Sequence, residues 1–318
     1  MRILILGAGG AHRTEAALAR AATALGHTAR VLDVLGWRRR LGRWSEPFLR
    51  RSATGWAPEF VVCTRHAAEL DPRWRADLLR CCPSALWYFD PGIPLAEPVL
   101  QLAREVTWTF ATYGHVVTQF RRAGAASAAF LPQGMDPLRD RPARRIPRRY
   151  HTEVLFIGSG QYPRRYPLLT RFATEFRVQV RGPSWPRAAG LPVAGGRVRG
   201  AAFARAIGGA AVSLGIEALA IAAREPDGGT SNRLWRVLGA GGGFLGEWVP
   251  GIDALARHDV HALWYRSEDE AIDLARTLLG DPARRRRLAE AGRAHGLARH
   301  TYQDRLALLL SGQGYTST

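Results

Sequence analysis

Residues 2–10 read RILILGAGG, a short apolar run that ends in a glycine-rich turn, and an alternation of the same kind restarts at residues 153–157, EVLFI. A short apolar run bounded by glycine is typical of a strand buried on both faces of a parallel sheet. The segment 14–25 follows the first run, carries apolar residues at helical spacing and precedes Gly26, which predicts an amphipathic helix with a glycine stop. Two such beginnings in one chain predict two α/β units.

The alternation of short apolar runs with amphipathic segments continues along the chain and predicts βαβ units with parallel sheets. Predicted strands in the first part are 2–6, 29–33, 60–63, 85–88, 106–110 and 128–131. Predicted strands in the second part are 153–157, 177–180, 211–214, 243–245 and 262–265, and the helices there are 168–175, 232–238, 268–279, 282–298 and 302–310. The predicted fold class is therefore α/β, with two doubly wound, Rossmann-like domains of similar size in 318 residues.

A break in this pattern separates the two predicted domains. Residues 131–137 read LPQGMDP, and residues 139–149 hold six arginines and few apolar side chains, which is the composition of a linker. The predicted boundaries are 1–135 for the N-terminal domain, 136–150 for the linker, 151–298 for the C-terminal domain and 299–318 for a helix that crosses back to the N-terminal domain.

The charge balance of the chain is strongly basic. Its 45 basic side chains are all arginine and oppose 27 acidic ones, for a formal net charge of +18. A surplus of this size indicates either a polyanionic partner or a basic surface that is neutralised by counterions.

The cysteines and the apolar runs exclude several protein classes. Cys63, Cys81 and Cys82 are the three cysteines, and their spacing favours neither a disulfide framework nor a zinc site, so we expect a reducing, cytoplasmic setting. The run 3–6 is too short for a signal peptide, and the run 207–223 contains Ser213 and Glu217, so neither predicts an export or membrane segment. We interpret 207–223 as a core strand with a flanking helix.

The turn Gly7–Gly10 after the first predicted strand is one candidate site. A glycine-rich turn before a helix lets the backbone approach a phosphate or substrate, and Asp33 lies where a ribose-binding acid is expected. This pattern allows an NAD-dependent oxidoreductase. His12 occupies the third glycine position of the dinucleotide fingerprint, however, and a tight turn without a ligand explains the residues equally well.

A second glycine-rich stretch is a better candidate for phosphates. Residues 227–233 read DGGTSNR before a predicted helix, and residues 239–243 read GAGGG before a strand. Thr230 or Ser231 can cap the helix, while Arg233 on its first turn adds a cation. The stretch predicts a pyrophosphate cradle, and the alternative is an ordinary capped helix with a surface arginine.

An ordered series of motifs resembles the glycosyltransferases of the GT-B fold, in particular the group related to the spore maturation protein CgeB. In the second half the matching motifs are VLFIGS at 154–159, VRGPSW at 180–185, SNR at 231–233, GAGGGFL at 239–245, YRSEDE at 265–270 and HTYQDR at 300–305. In the first half they are LWYFDP at 86–91 and LPQGMDP at 131–137. Residues 1–84 match only as a generic half-domain.

The resemblance implies a C-terminal domain that binds a nucleoside-diphosphate sugar, with a UDP-sugar as the expected donor, and an N-terminal domain that faces it across a cleft and binds the acceptor. By the same resemblance, the donor-contacting residues form four groups. They are Gly158 and Ser159 near the donor, Arg164 or Arg165 beside the phosphates, Gly182, Ser184 and Trp185 near the nucleobase, and Thr230, Ser231, Asn232 and Arg233 at the diphosphate. Arg236 stands where many relatives carry a ribose-binding glutamate, and Glu217 or Glu225 is a candidate replacement.

The chemistry of sugar transfer suits these residues. Cleavage of a sugar–phosphate bond develops negative charge on the diphosphate, which amide groups and arginine stabilise without a metal. The sequence contains no Asp-x-Asp metal signature, so we expect metal-independent transfer. The candidate general bases are Asp90, which ends a predicted strand and is preferred, His12, and less favourably His115.

The first domain carries the basic residues that suggest an acceptor. Trp37, Trp44 and Phe48 interleave with arginines, and arginines with aromatic rings are typical of nucleic-acid contacts. The candidate acceptor-binding residues are Gly9, Gly10, Arg38, Arg39, Arg40 and Arg43. We hypothesise a hydroxylated base in double-stranded DNA as the acceptor. A solvated basic face, a glycan or protein acceptor, an anionic membrane surface and a catalytically silent nucleic-acid-binding module remain open.

Overall fold

The computed structural model describes residues 1–92, 94–186, 190–218 and 229–316. The chain divides into two compact units, one formed by Met1–Gln133 with Tyr302–Thr318 and the other by Gly134–Thr301. The segment 136–150, which the sequence predicts as a linker, lies within the second unit.

The first unit is built on a parallel six-stranded sheet with the strand order β2-β1-β3-β4-β5-β6. Its strands are β1 (Arg2–Gly7), β2 (Thr28–Asp33), β3 (Phe60–Cys63), β4 (Ser84–Tyr88), β5 (Trp108–Ala111) and β6 (Ala128–Phe130). Its helices up to β6 are α1 (Thr14–Ala24), α2 (Val34–Leu41), α3 (Glu46–Thr54), α4 (Pro72–Arg80), α5 (Glu97–Glu105) and α6 (Gly114–Arg122).

The second unit is built on another parallel six-stranded sheet, with the order β12-β11-β10-β7-β8-β9. Its strands are β7 (Thr152–Ile157), β8 (Val178–Arg181), β9 (Val193–Gly195), β10 (Ala210–Gly215), β11 (Phe244–Glu247) and β12 (Leu263–Tyr265). Its helices are α7 (Tyr166–Glu175), α8 (Ala201–Gly209), α9 (Arg233–Gly239), α10 (Ile252–Leu255), α11 (Glu268–Gly280) and α12 (Pro282–Arg299).

The last helix, α13 (Tyr302–Ser311), packs in the core of the first unit. Tyr302, Leu306 and Leu309 are buried there against strand residues such as Ile5. Burial of each such side chain contributes roughly 1.5–3 kcal/mol, which explains why a helix distant in sequence is held in this unit.

The strands differ from the sequence prediction at a few places. β5 begins at Trp108 rather than at residue 106, because Val106 and Thr107 still belong to the turn after α5. β9 was not predicted, since Val193 and Ala194 are exposed on an edge strand and give no buried apolar pattern. The run 207–223 begins with the end of α8 and continues into β10, as interpreted, and residues 219–223 lie outside the described part of the chain.

Each sheet has a point where its strand order reverses. β1 lies between β2 and β3 in the first sheet, and β7 lies between β10 and β8 in the second. In open α/β sheets, ligands bind beyond the carboxyl ends of the strands at such points. The loops that follow β1, β7 and β10 are therefore the places where functional residues are expected. No helix of the described ranges is long and apolar enough to cross a membrane.

Candidate functional site

The loops that follow β7 and β8 are bound tightly to each other. The amide of Gly158 donates to the carbonyl of Arg181 over 2.9 Å, and the amide of Gly160 donates to the carbonyl of Pro183 over 2.9 Å. The indole of Trp185 donates to the carbonyl of Gly158 over 3.1 Å. The structure thus brings together two groups of predicted donor residues that are separate in sequence.

Close packing of backbone explains the glycine at position 182. Gly182 has φ +142°, and a Cβ atom there would overlap the carbonyl oxygen of Gly158. Ser184 has φ +61° and is exposed, and the ring of Trp185 packs edge-on against Phe156 with 6.0 Å between centroids. The two loops form one rigid wall at the carboxyl end of the sheet.

Arg165 is a buried cation in this wall. The residue is 4% exposed, and its Nη1 atom donates to the carbonyl of Ser159 over 2.8 Å. Its Nε atom is buried and has no hydrogen-bond partner within the described part of the chain. Its guanidinium carbon lies 4.7 Å from the ring centroid of Tyr162 and 5.4 Å from that of Phe156.

Arg233 approaches the same Phe156 ring from the loop after β10. Its Nε donates to the carbonyl of Ile157 over 2.9 Å and its Nη1 to the carbonyl of Ile216 over 3.2 Å, so it bridges the ends of β7 and β10. Its guanidinium carbon is 5.0 Å from the centroid of Phe156. Burial, and next the positive charge of Arg233, lowers the pKa of Arg165 to about 10. Two guanidinium groups therefore share one small region where positive charge is disfavoured.

Arg164, unlike Arg165, has an ion-pair partner in the described part of the chain. It forms a two-pronged ion pair with Glu247, at 2.9 and 2.8 Å, and also donates to the carbonyl of Glu217 over 3.1 Å. The hydrogen bond to Glu247 raises the pKa of Arg164. Arg164 and Arg165 were the two candidates for a position beside the phosphates. Of these, Arg165 has no carboxylate at ion-pair distance among the described residues.

Glu217 follows β10 and is 8% exposed. Its Oε1 atom accepts from the hydroxyl of Thr230 at 3.2 Å and faces the amide of Ser231 at 3.5 Å. The prediction that Thr230 or Ser231 caps the next helix was wrong. Asn232 is the N-cap of α9 and its side chain makes no cap hydrogen bond, while the Thr230 hydroxyl is directed to Glu217.

The Ser231 hydroxyl is a second buried polar group of this region. It has no hydrogen-bond partner among the described residues. Asp227, Gly228 and Glu225 lie outside the described ranges.

Two residues to which the sequence analysis gave no site role complete this region. Glu247 ends β11 and pairs with Arg164, and Tyr265 ends β12 and donates to the carbonyl of Gly215 over 3.0 Å. Burial, and next the charge of Glu247, raises the pKa of Tyr265 well above its usual value. Both residues stand at strand carboxyl ends, which is the signal that could have identified them.

Arg236 is held by contacts within the second unit. It pairs with Asp140 at 3.3 Å, and its guanidinium carbon lies 4.1 Å from the ring centroid of Phe203. Burial raises the pKa of Asp140, while Arg236 opposes that rise. Arg236 thus neutralises a buried carboxylate of the 136–150 segment within the second unit.

The glycine-rich turn of the first unit is held by its own acids. Asp33 Oδ1 accepts from the amides of Gly9 and Gly36 at 2.6 and 2.8 Å. Glu15, which is 4% exposed, accepts from the amide of Ala8 at 2.9 Å and from the hydroxyl of Thr64 at 3.1 Å. Asp33, which the sequence offered as a ribose-binding acid, therefore stabilises the turn itself. Gly10 is exposed at the tip of this turn.

The two preferred general bases lie on different loops of the first sheet. Asp90 follows β4 and pairs with Arg65 at 2.7 Å, and its side chain is 41% exposed. His12 is exposed in the turn after β1, and β3 lies between β1 and β4. The Nε2 atom of His115 is 2.8 Å from the carbonyl of Pro91, so this ring is held beside the Asp90 loop.

The basic segment of the first unit forms α2, a 3-10 turn and α3. Arg38 binds Glu46 and donates to the carbonyl of Glu69 over 2.6 Å, so it has a structural task and is only 17% exposed in its side chain. These bonds within the chain make Arg38 a weaker candidate for acceptor binding than its exposed neighbours. Arg39, Arg40 and Arg43 are exposed, beside a Trp44 that is 76% exposed.

The fold of the chain is similar to that of solved glycosyltransferases. A crystal structure of Anabaena Alr3699/HepE in complex with UDP and glucose matches 98% of each chain at 14% identity, with a TM-score of 0.64. Sucrose-phosphate synthase from Thermosynechococcus elongatus matches 98% of each chain at 12% identity, with a TM-score of 0.66. The chain has the GT-B fold. The predicted α/β class with two doubly wound domains is confirmed.

A sequence family supports the same assignment for part of this GT-B chain. Residues 164–311 match the family described as glycosyl transferase-like. Among curated proteins, none matches. The family match together with the GT-B fold confirms the prediction of a transferase-type enzyme. Within the described ranges, no cluster of three or more His, Cys, Asp or Glu side chains is arranged to hold a metal ion.

Proposed function

We propose that this protein transfers a sugar from a nucleoside-diphosphate sugar, in the first place a UDP-sugar, to a hydroxyl group of an acceptor. The observation that carries the proposal is the buried Arg165, whose Nε atom has no partner among the described residues and whose neighbour Arg233 is also cationic. A buried cation without an ion-pair partner is unfavourable, and an anion that enters the site reduces the penalty. A diphosphate has the charge and the oxygen atoms that two guanidinium groups require.

The proposed reaction uses this charge at the leaving group. The acceptor oxygen attacks the anomeric carbon, the bond from that carbon to the diphosphate oxygen breaks, and the electron pair leaves with UDP. Arg165 and Arg233 stabilise the charge that develops on the diphosphate, which is the role a metal ion has in other transferases. We therefore propose metal-independent transfer.

The remaining donor contacts follow from the same wall. We propose that the nucleobase lies against Gly182, Ser184 and Trp185, and that Glu217 accepts from the ribose hydroxyls in place of the glutamate that Arg236 replaces. Glu217 is supported by its position after β10 and by its bonds to Thr230 and Ser231. The relation to the CgeB group, stated from the motifs, is part of this proposal.

A base in the first unit completes the proposed chemistry. Asp90 is preferred because it follows a parallel strand at the carboxyl edge of the sheet, where open α/β sheets bind their ligands, and its carboxylate lies 2.7 Å from Arg65. We propose that it takes the proton of the acceptor hydroxyl. His12 is the second candidate. The three free cysteines, Cys63, Cys81 and Cys82, are compatible with the cytoplasmic setting that we propose.

The donor is tested by thermal unfolding with UDP-glucose. At about one hundred times its Kd, a ligand that binds only the folded protein stabilises it by about 2.7 kcal/mol, so the melting midpoint is expected to rise by a few degrees. NAD at the same concentration is the control, and we expect no shift because Asp33 is bonded to the turn. A shift with NAD and none with UDP-glucose or UDP would favour the oxidoreductase instead.

We further propose that the acceptor is a hydroxylated base in double-stranded DNA. Support comes from the net charge of +18 and from the exposed Arg39, Arg40, Arg43 and Trp44, which combine phosphate contacts with a ring for stacking on an exposed base. A glycan or protein acceptor beside a merely basic surface is the alternative.

The acceptor proposal predicts a steep salt dependence of duplex DNA binding. The change of Arg39, Arg40 and Arg43 to glutamine is expected to reduce the slope of log affinity against log salt by about 3, since each phosphate contact contributes about 1. The measurement is fluorescence anisotropy of a labelled duplex between low and physiological salt. Binding to anionic vesicles without binding to DNA would assign this surface to a membrane and contradict the proposal.

A further inference from the structure

A pocket of about 670 Å³ in the second unit is lined almost entirely by cationic and small side chains. It lies between the irregular segment 138–145 and the start of α8, with Gly200 and Ala204 on the helix side. Five arginines contribute to its wall: Arg139, Arg141, Arg144, Arg145 and Arg205. The residues that carry the proposed donor site do not line this pocket.

The positive charge of this pocket is not neutralised locally. In the ranges that the structure describes, none of the five arginines forms an ion pair with a carboxylate. The acid nearest in sequence, Asp140, is 7% exposed and already pairs with Arg236. Arg139, Arg141, Arg144 and Arg145 are exposed, so their guanidinium groups are available to a large partner. Like charges gathered in this way attract anions.

The lining indicates the kind of anion. Guanidinium groups bind phosphate oxygens with paired hydrogen bonds. The pocket offers no aromatic ring for stacking and no carboxylate to accept a bond from a base or a sugar. Sites for specific small molecules are mostly apolar with a few placed polar groups, whereas five arginines supply all the charged side chains of this wall. Contacts with phosphate groups alone, independent of sequence, are typical of the nucleic-acid backbone.

We propose that this pocket binds the phosphodiester backbone of nucleic acid. A polymer is favoured over a compact oligophosphate because four of the five arginines are exposed and the whole chain carries a charge of +18. This inference rests on the proposed DNA acceptor and deepens it, since it adds a backbone contact in the second unit. The pocket positions the polymer and takes no part in the sugar transfer itself.

The test compares two variants that lose the same charge. Arg144→Gln/Arg145→Gln removes an adjacent pair from the pocket, and Arg286→Gln/Arg287→Gln removes an adjacent, exposed pair from α12 as the matched control. Binding of a labelled DNA duplex to the full chain is measured from 50 to 200 mM salt. The pocket variant is expected to bind on the order of tenfold more weakly and to reduce the salt slope by about 2. The control is expected to keep the wild-type slope.

Four outcomes would overturn the inference. An equal loss in both variants would show that only total charge matters, and an unchanged slope in the pocket variant would show that the pocket makes no contact. Inorganic tripolyphosphate that raises the melting midpoint of the wild type but not that of the pocket variant, while both bind DNA equally well, would assign the pocket to a small anion. Thermal stabilisation by UDP-glucose, measured on the same variants, is expected to stay at the wild-type value. This measurement distinguishes loss of DNA binding at the pocket from loss of donor binding. Absence of DNA binding by the wild type would contradict both the acceptor proposal and this inference.

Discussion

Replacement of Arg165 by glutamine is expected to lower kcat/KM for a UDP-sugar by about a hundredfold to a thousandfold. Arg165 is 4% exposed, so the interaction of its guanidinium with a diphosphate is weakly screened by water and stronger than a surface contact. Because the charge on the leaving group grows in the transition state, the loss is expected in kcat as well as in KM. Donor hydrolysis or transfer, measured by release of UDP, gives both constants.

Arg164→Gln is the matched control at the next position. Arg164 is already paired with Glu247, so its removal takes less free charge from the site, and we expect a loss of less than about tenfold. The unfolding midpoint of Arg165→Gln in the absence of donor should stay close to wild type, since the change also removes a buried charge that has no ion-pair partner among the described residues. Equal kinetic losses at the two positions, or a full loss at Arg164 alone, would contradict the assignment of Arg165 to the diphosphate.

Gly182→Ala is expected to cost on the order of 4 kcal/mol of folding free energy. Two effects combine at this position. The φ of +142° is strained for any residue with a Cβ atom, and the added methyl group would overlap the carbonyl oxygen of Gly158. The backbone of one loop must then move away from the other, which also separates Trp185 from Gly158. Urea unfolding followed by circular dichroism measures the loss.

Gly196→Ala tests whether any alanine in this region has the same effect. A Cβ atom at Gly196 meets no heavy atom within 4 Å, and the position is exposed. We expect a change of less than about 0.5 kcal/mol there. Similar unfolding midpoints for the two variants would mean that the loops after β7 and β8 are not held together as the structure indicates.

The sequence predicted the strands well where their signal is burial. β3 was predicted with its observed bounds, and β1 and β7 within one residue at their ends, because short runs of buried apolar residues have few other interpretations. β9 was missed because it is an exposed edge strand. The expected helix cap at Thr230 or Ser231 was wrong, since Asn232 is the N-cap. For Thr230 the reason is a buried carboxylate, Glu217, which binds its hydroxyl and of which the local sequence contains no sign.

The amino-acid sequence by itself determined the two α/β units, the glycine turns at the ends of their strands and the excess of arginine. Periodicity and glycine placement act over a few neighbouring residues and can be recognised from the sequence alone. Only the tertiary structure decided which arginines are bound to acids within the chain. Arg164 pairs with Glu247, 83 positions away, and Arg236 pairs with Asp140, 96 positions away, while Arg165 is buried without such a partner among the described residues. The availability of a charge depends on neighbours in space, and folding chooses those neighbours from distant parts of the chain.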